Sequence, residues 1–296
     1  MLGLELLDAG ALAIAVNDRG EVQERALVED TDDLAVAADA ALARVQTASR
    51  GSTPLGITAF HHDSPAVMAA LASLSGRFVG PFVHAGATPS GVAAMIAEAW
   101  IGAAKHEQDV VFFAADRHTT GGILQNGVPV TGRRGRAASV AWLALNPVER
   151  EDYRRTGCLE AEAGAAGIVR RLIWRIKSGD RSRIQDVVKD NFSSITSEHV
   201  LNAARDGDGV SFSVVRDTAK YLGMGAANLV LIADPDMLVL GGIMASASDL
   251  LLETVRSEIA RRLPKPMMEA LKIVPATLGA DAAALGAARL AVIALQ

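Results

Sequence analysis

The segment from Tyr221 to Gly242 constrains the fold of this chain more than any other stretch. It reads Tyr-Leu-Gly-Met-Gly-Ala-Ala-Asn-Leu-Val-Leu-Ile-Ala-Asp-Pro-Asp-Met-Leu-Val-Leu-Gly-Gly, so an apolar helix leads into a short strand-forming run that ends in paired glycines. The strand is apolar throughout, which is typical of a buried position in a sheet. A helix joined to a buried strand in this way indicates an α/β protein.

The N-terminal part of the chain predicts a mixture of strands and helices. Three strands are expected at Leu2–Leu7, Ala11–Val16 and Val22–Leu27, and Asn17–Gly20 has the turn chemistry of a hairpin between the second and the third. The pattern that follows predicts a helix at Asp30–Ser49, a strand at Pro54–Phe60, a helix at Ser64–Leu74, a strand at Phe78–Val83, a helix at Ser90–Lys105, and strands at Val110–Ala114 and Gly122–Val128.

Helices dominate the second half, and residues 132 to 157 look like an irregular connection between domains. A second alternation of strand and helix near Met237–Leu240 and Ile273–Ala276 indicates two similar α/β lobes. The basic residues between Arg170 and Arg183 are interpreted as a solvated helix face.

Composition excludes several classes of partner. The chain of 296 residues carries a net charge of −5, which favours neither nucleic acid nor an anionic membrane. Its one cysteine, Cys158, excludes an intrachain disulfide and a zinc site made of several cysteines. The N-terminus has no basic leader, and no apolar run reaches the roughly 18 residues of a membrane span. A cytoplasmic protein is therefore expected.

Three blocks carry a family resemblance, namely Gly157–Gly164, Tyr221–Gly242 and Ala276–Ala288. In order and spacing they resemble the ROK family, whose name stands for repressor, open reading frame, kinase. The resemblance covers the chain from Gly157 onward and continues more weakly upstream, at Ala97–Lys105 and Gly121–Gly132.

The resemblance implies a two-lobed actin-like or hexokinase-like ATPase fold, a ribonuclease H-like duplication that closes over ATP and a sugar. The lobes are expected at residues 1–120 and 121–296. As an alternative, the C-terminal helix packs on the first lobe. Family members are usually dimers or tetramers, so a homodimer is expected. No segment of the size of a winged helix-turn-helix precedes the strand at Leu2, which disfavours a DNA-binding repressor.

Sugar phosphorylation requires donors that hold phosphates, Mg²⁺, and a carboxylate that accepts the hydroxyl proton. The family's first phosphate loop, an aspartate followed by a Gly-Gly-Thr-Lys type turn, corresponds here to Glu5-Leu-Leu-Asp-Ala-Gly10. Two leucines replace small residues that let backbone N–H groups approach a phosphate, and neither lysine nor hydroxyl remains.

The second phosphate loop corresponds to Asp116–Ile123, in which Thr119, Thr120, Gly121 and Gly122 are the candidate phosphate-binding residues. Phosphate binding is weighed there against a simple turn into the next strand. The charge of Asp116 would repel a phosphate, whereas His118 is available to contact an anion. The resemblance also places Gly241 and Gly242 against the nucleotide. These residues disfavour binding of ATP and Mg²⁺ but do not exclude it.

The catalytic and sugar-binding positions show the same losses. The family's catalytic aspartate falls near Ser90, which is too weak a base and is interpreted as a helix N-cap. A sugar-binding motif that leads into a zinc cluster corresponds to Ser139–Trp142, and of the zinc cysteines only Cys158 persists, so zinc is not expected. Glu160 is the one retained sugar-contacting position, with capping of the following helix as the alternative.

Three hypotheses follow from this pattern. The first is a pseudokinase, a ROK protein that has lost sugar phosphorylation and binds a carbohydrate or nucleotide ligand, regulates or acts as a scaffold. The second is an active kinase with an unusual substrate and a relocated base at Glu5, Asp8 or Asp116. The third is a structural partner subunit of an active homologue.

Overall fold

The computed structural model describes residues 1–45, 53–82 and 86–294. Three strands open the chain, and a long run of helices separates the eighth strand from the ninth. The strands are β1 (Leu2–Leu7), β2 (Gly10–Val16), β3 (Val22–Glu29), β4 (Leu55–Ala59), β5 (Thr88–Pro89), β6 (Val110–Ala115), β7 (Thr119–Gln125), β8 (Val128–Pro129), β9 (Met237–Gly242) and β10 (Lys272–Pro275).

The helices lie between these strands and are longest in the second half of the chain. They are α1 (Leu34–Arg44), α2 (Pro65–Leu74), α3 (Ser90–Ile101), α4 (Glu151–Thr156), α5 (Cys158–Ala163), α6 (Ala165–Lys177), α7 (Ile184–Val187), α8 (Ser197–Arg205), α9 (Gly209–Ala233), α10 (Ile243–Ser246), α11 (Ser248–Ala260), α12 (Lys265–Ala270) and α13 (Ala282–Ile293).

The first sheet has the strand order β3-β2-β1-β4-β5. β1 pairs antiparallel with β2 and parallel with β4, so the sheet is mixed. The predicted hairpin at Asn17–Gly20 is confirmed, since Gly20 N–H donates to the carbonyl of Asn17 and the Asn17 side chain accepts from two further amides of the turn. Local turn chemistry therefore sets the register of β2 and β3.

The alanine-rich helix α13 packs closely on this sheet. A Cβ atom on Gly3 of β1 would overlap the carbonyl oxygen of Ala284, and one on Gly56 of β4 would overlap that of Ala287. Small residues on both partners bring the helix backbone against the strands. The face of the sheet that carries Gly3 and Glu5 thus lies under α13.

The second sheet has the order β10-β9-β6-β7-β8, and β9 and β10 pair in parallel. β6 is buried along its whole length, as its sequence Val-Val-Phe-Phe-Ala-Ala predicts. β7 and β8 are joined by the two-residue turn Asn126-Gly127, in which both residues have positive φ, 50° and 73°. The predicted strand Gly122–Val128 is therefore two strands of a hairpin.

The chain forms two compact units. The first comprises Met1–Phe112, Gly121–Ala138 and Ala276–Gln296, and the second comprises Phe113–Thr120 and Ser139–Pro275. The chain passes from one to the other after Ala138, inside the segment predicted to be irregular, residues 132 to 157. This segment contains a short 3-10 helix at Val140–Trp142 and the whole of α4.

One predicted strand is wrong in its described part. In place of a strand at Phe78–Val83, Phe78 and Val79 form isolated bridges, and Val83 lies outside the described residues. The helix predicted at Asp30–Ser49 corresponds to α1, which begins at Leu34 and ends at Arg44. The predicted positions after Val45 lie outside the described residues. Among the helices of residues 1–45, 53–82 and 86–294, none has both the length and the apolar character that a membrane span requires.

Candidate functional site

The position of the expected catalytic base lies at the start of α3. Ser90 is the first helical residue, and the N-cap is Pro89, which offers no side-chain hydrogen bond. The interpretation of Ser90 as an N-cap is therefore wrong, because proline immediately before it already occupies the capping position. The Ser90 Oγ atom is buried, and among the described residues it has no hydrogen-bond partner.

The glycines of the predicted second phosphate loop lie inside a strand. Gly121 and Gly122 are buried in β7, which begins three residues earlier than predicted, at Thr119. A Cβ atom on Gly91, in the first turn of α3, would overlap the backbone of Gly121. A Cβ atom on Gly122 would in turn overlap the carbonyl oxygen of Gly91, so the lack of side chains at Gly91 and Gly122 lets α3 pack against β7. The turn alternative is thus wrong for Gly121 and Gly122, which lie inside the strand. Their role in phosphate binding stays a prediction.

The first phosphate loop is a tight hairpin. Leu7 pairs with Gly10, so the turn between β1 and β2 consists of Asp8 and Ala9. Leu6 is buried in the core of the first unit. Neither turn residue carries the lysine or hydroxyl side chain of the family's loop.

Glu5 lies in the middle of β1, between Leu12 of β2 and Thr58 of β4. Burial raises the pKa of its carboxyl group to about 7, and the negative charge of Asp281 contributes to the shift. A carboxyl group with this pKa exchanges protons near neutral pH.

The second unit holds the predicted sugar-binding residue in a dense polar arrangement. Glu160 lies in α5, and its Oε2 atom accepts hydrogen bonds from the N–H (2.6 Å) and the Oγ1–H (2.7 Å) of Thr119. Its Oε1 atom lies 2.9 Å from Nδ1 of His118. α6 begins after Gly164 without a side-chain cap, so the capping alternative for Glu160 is wrong.

His118 lies in the connection between β6 and β7, and Thr119 is the first residue of β7. In this turn Asp116 N–H donates to the carbonyl of His118 (3.0 Å). Thr119 is 1% exposed, and the adjacent Thr120, at the start of β7, is partly buried. The predicted phosphate donor Thr119 therefore has both its hydroxyl and its amide bonded to Glu160.

A second carboxylate, missed by the sequence analysis, lies two residues further along α5. Glu162 is 3% exposed and accepts hydrogen bonds from Tyr153 Oη (2.5 Å), from Arg171 (2.5 Å) and from Arg150 (3.2 Å). Burial, followed by the hydrogen bond to Glu162, raises the pKa of Tyr153 to about 12. The interpretation of the basic cluster as a solvated face is wrong for Arg171, whose side chain is only 15% exposed.

Cys158 begins α5 and is buried in a small apolar cluster with Tyr153 and Ala161. The family's zinc cluster would use this cysteine together with others that the chain lacks. The absence of zinc stays a prediction, and in the structure the segment around Cys158 is held by the hydrogen bonds of Glu162.

The paired glycines that end β9 serve the packing of the second unit. Gly242 has φ of 61°, a left-handed conformation that favours glycine, and a Cβ atom there would overlap the carbonyl oxygen of Ala115 in β6. Gly241 is buried at the end of the strand. Contact of either glycine with a nucleotide stays a prediction.

Comparisons with known proteins agree with these features. A model described as the ROK family matches residues 90–293. The glucokinase of Halalkalibacterium halodurans is 30% identical over 196 residues, 65% of this chain and 59% of that protein. The DNA-binding transcriptional dual regulator NagC of Escherichia coli is 27% identical over 184 residues, 62% of this chain and 44% of that protein. The chain thus matches only about half of the length of these two relatives.

A solved structure is similar over nearly the whole chain. The ROK family glucokinase of Streptomyces griseus, crystallised with glucose and AMPPNP, superposes with a TM-score of 0.81 at 22% identity and covers 99% of both chains. At this identity the likeness concerns the fold. The two mixed sheets with their helices are therefore the actin-like, hexokinase-like fold that the sequence predicts.

Proposed function

Because this chain belongs to the ROK family, we propose that it is a carbohydrate-binding or regulatory homologue in which ATP-dependent sugar phosphorylation is lost or severely weakened. The observation that carries the proposal is Ser90, at the position where the family resemblance places the catalytic aspartate. A neutral serine hydroxyl is too weak a base to take the proton of a sugar hydroxyl unaided, and Ser90 Oγ has no hydrogen-bond partner in the described part of the chain that would assist it. Losing a general base lowers the rate by a factor of about 10² to 10⁴.

The resemblance to the family's kinases implies binding of ATP and Mg²⁺, but the hydrogen-bond donors present in this chain do not fit the phosphate groups. Phosphate oxygens need N–H groups or cationic side chains that are not already engaged. The amide and the hydroxyl of Thr119 are both bonded to Glu160, and the β1–β2 turn presents the carboxylate of Asp8 instead of a lysine. We therefore expect the chain to bind ATP only weakly.

Two measurements test the proposal. In an ADP-release assay with hexoses and amino sugars, we expect no turnover above background, and a rate near the roughly 1 s⁻¹ at the low end for kinases would overturn the loss of catalysis. In calorimetric titrations with the same sugars, we expect binding by the wild-type chain. The Ser90→Asp variant is the matched control: because the phosphate donors are also missing, restoring the carboxylate should not restore turnover.

One observation favours a second function, that of an active kinase with a relocated base. The pKa of Glu5, raised to about 7, matches the requirement for a general base near neutral pH. In this case turnover would be found with some sugar and abolished in the Glu5→Gln variant. A chain without Mg²⁺-dependent nucleotide affinity in calorimetry would exclude this function.

We include in the proposal a cytoplasmic location, which the single cysteine favours, and a homodimer, on the strength of the family resemblance. Light scattering on the purified chain tests the assembly, and a mass of twice 30.9 kDa is the expected result. A chain that forms a defined complex only with an active homologue would instead support a partner subunit.

A further inference from the structure

Two carboxylates leave the short helix α5 on opposite sides. The helix has six residues, Cys158–Ala163, and the glycines at its two ends, Gly157 and Gly164, provide no side-chain cap. Successive residues of an α-helix are rotated by about 100°, so Glu160 and Glu162 point about 200° apart. A helix this short is marginal on its own in water, and contacts with other elements therefore determine where α5 lies.

On one side, Glu160 joins α5 to the start of β7. Its Oε2 atom accepts both hydrogen bonds of Thr119, and its Oε1 atom lies 2.9 Å from Nδ1 of His118. A carboxylate offers about four acceptor positions, and the described residues occupy three of them. Any displacement of α5 moves this carboxylate relative to its donors.

On the other side, Glu162 joins α5 to α4 and α6. Tyr153 of α4 donates its hydroxyl to Oε1 of Glu162 at 2.5 Å, and Arg171 of α6 donates to Oε2 at 2.5 Å. Bonds between a cationic donor and a carboxylate are stronger than bonds between neutral groups. With Glu162 only 3% exposed, solvent does not compete for them.

Two arginines of α6 also bind the backbone at the C-terminal end of α5. Arg170 donates to the carbonyl of Ala161 (2.7 Å), and Arg171 donates to the carbonyl of Glu162 (2.7 Å). The last carbonyls of an α-helix have no partner within the helix, and cationic side chains are favourable there. Because Arg171 bonds to both the backbone and the carboxylate of Glu162, the carboxylate keeps the arginine at the end of the helix.

We propose that Glu162 is a positioning residue of the carbohydrate site. Held by Tyr153 and Arg171, it fixes α5 so that the Glu160 carboxylate stays aligned with Thr119 and accepts a hydrogen bond from a hydroxyl group of the ligand. The inference rests on the proposed carbohydrate binding and on the contact that the family resemblance assigns to Glu160. It adds a residue that controls ligand affinity through the position of α5.

A spectroscopic measurement on the full chain tests the positioning. The amide of Thr119 donates to Glu160 at 2.6 Å, and an amide proton resonates further downfield when its hydrogen bond is shorter. In the chain labelled with ¹⁵N-threonine, the Thr119 signal is the one that the Thr119→Val variant lacks. Glu162→Gln should move this signal upfield or split it, because the amide group no longer holds Arg171 by charge.

Tyr153→Phe provides a second, milder variant. It removes one donor to Glu162 and keeps the aromatic ring in its apolar cluster with Cys158 and Ala161. It should move the Thr119 signal in the same direction by a smaller amount. This variant decides the test if Glu162→Gln does not fold.

The matched control is Glu258→Gln in α11. Glu258 is also a buried carboxylate of the second unit, 5% exposed, and it accepts hydrogen bonds from Arg261 (2.8 Å) and Arg262 (2.5 Å). Its substitution should lower the thermal midpoint but leave the Thr119 signal unchanged. The inference is overturned if Glu258→Gln moves this signal as far as Glu162→Gln does, or if neither Glu162→Gln nor Tyr153→Phe moves it.

Binding is measured by calorimetry with D-glucose and with amino sugars as probes, well below the thermal midpoint of each variant. Glu162→Gln should bind at least tenfold more weakly than the wild-type chain, whereas Glu258→Gln should bind equally well. A wild-type chain that binds a sugar, together with a Glu162→Gln variant of equal affinity, would overturn the inference and leave the proposed function standing. If the wild-type chain binds none of the probes, the proposed carbohydrate binding fails and the inference fails with it.

Discussion

Buried polar side chains have opposite surroundings in two regions of the molecule. The first region is the start of α3 in the first unit, and the second region comprises the helices α4–α6 in the second unit. At the start of α3, the Ser90 hydroxyl is buried without a partner among the described residues, and the neighbouring Gly91 packs against strand backbone. In α5, by contrast, Glu160 and Glu162 each accept hydrogen bonds from at least two residues.

This difference indicates which of the two regions depends on specific polar contacts. A buried hydroxyl without a partner lowers the free energy of unfolding. A buried carboxylate avoids this penalty only where several donors are correctly placed around it. In the first region, the contacts of the described residues are packing contacts, and the buried hydroxyl has no polar partner among them. The second region depends on particular donors, so substitutions there should have the larger effects.

The largest expected effect comes from Glu162→Gln in the second region. The substitution leaves Arg171, with a side chain 15% exposed, without its carboxylate partner. Removing one member of a buried ion pair costs about 3 kcal/mol or more in the free energy of unfolding. Denaturant unfolding of the variant and of the wild-type chain measures the difference.

Its matched control is Glu149→Gln, which removes an exposed ion pair with Arg154, where the two side chains are 64% and 70% exposed. A pair of this kind contributes at most about 1 kcal/mol. If the two variants lose the same stability, the Glu162 network does not hold the second region together.

The next effect concerns Glu5 in the first unit, and it depends on pH. Because folding raises the pKa of Glu5 from 4.5 to about 7, the folded chain binds a proton more tightly than the unfolded chain between these pH values. Its contribution to stability is thus complete below pH 4.5 and is lost as the pH rises to about 7. The loss amounts to at most about 3 kcal/mol.

Unfolding of the wild-type chain and of Glu5→Gln between pH 4 and pH 8 measures this contribution. The amide does not titrate, so the difference in unfolding free energy between the two proteins should shift in favour of the variant as the pH rises. A difference that stays constant over this range would show that Glu5 ionises normally in the folded chain.

The sequence predicts local features of the chain better than contacts between distant residues. The hairpin at Asn17–Gly20 follows from turn residues that are adjacent in the chain. The bond between His118 and Glu160 joins residues 42 positions apart, and no periodicity or spacing signals such a pair. Even the error at Ser90 is instructive, because a serine at a helix start suggests a cap.

The charged helix α6 shows the same limit. The sequence predicts a solvated basic face there, but the exposure of Arg171 depends on Glu162, which belongs to the preceding helix. A basic residue on a predicted helix surface is interpreted as solvated unless a buried carboxylate is known to contact it. Here the contacting carboxylate belongs to α5, so the contact with α6 is known only from the packing of the two helices.

The smallest expected effect is that of Ser90→Ala. Removing a buried hydroxyl that has no partner should change the unfolding free energy by less than about 1 kcal/mol, with stabilisation the expected direction. Thr119→Val removes a hydroxyl that donates to Glu160 of the second region at 2.7 Å, and it should cost about 1 to 3 kcal/mol in the free energy of unfolding. Denaturant unfolding of both variants compares the two regions, because each variant removes one buried hydroxyl group. If Ser90→Ala costs as much as Thr119→Val, then a bound water or ligand pairs with Ser90, and the start of α3 is a polar site after all.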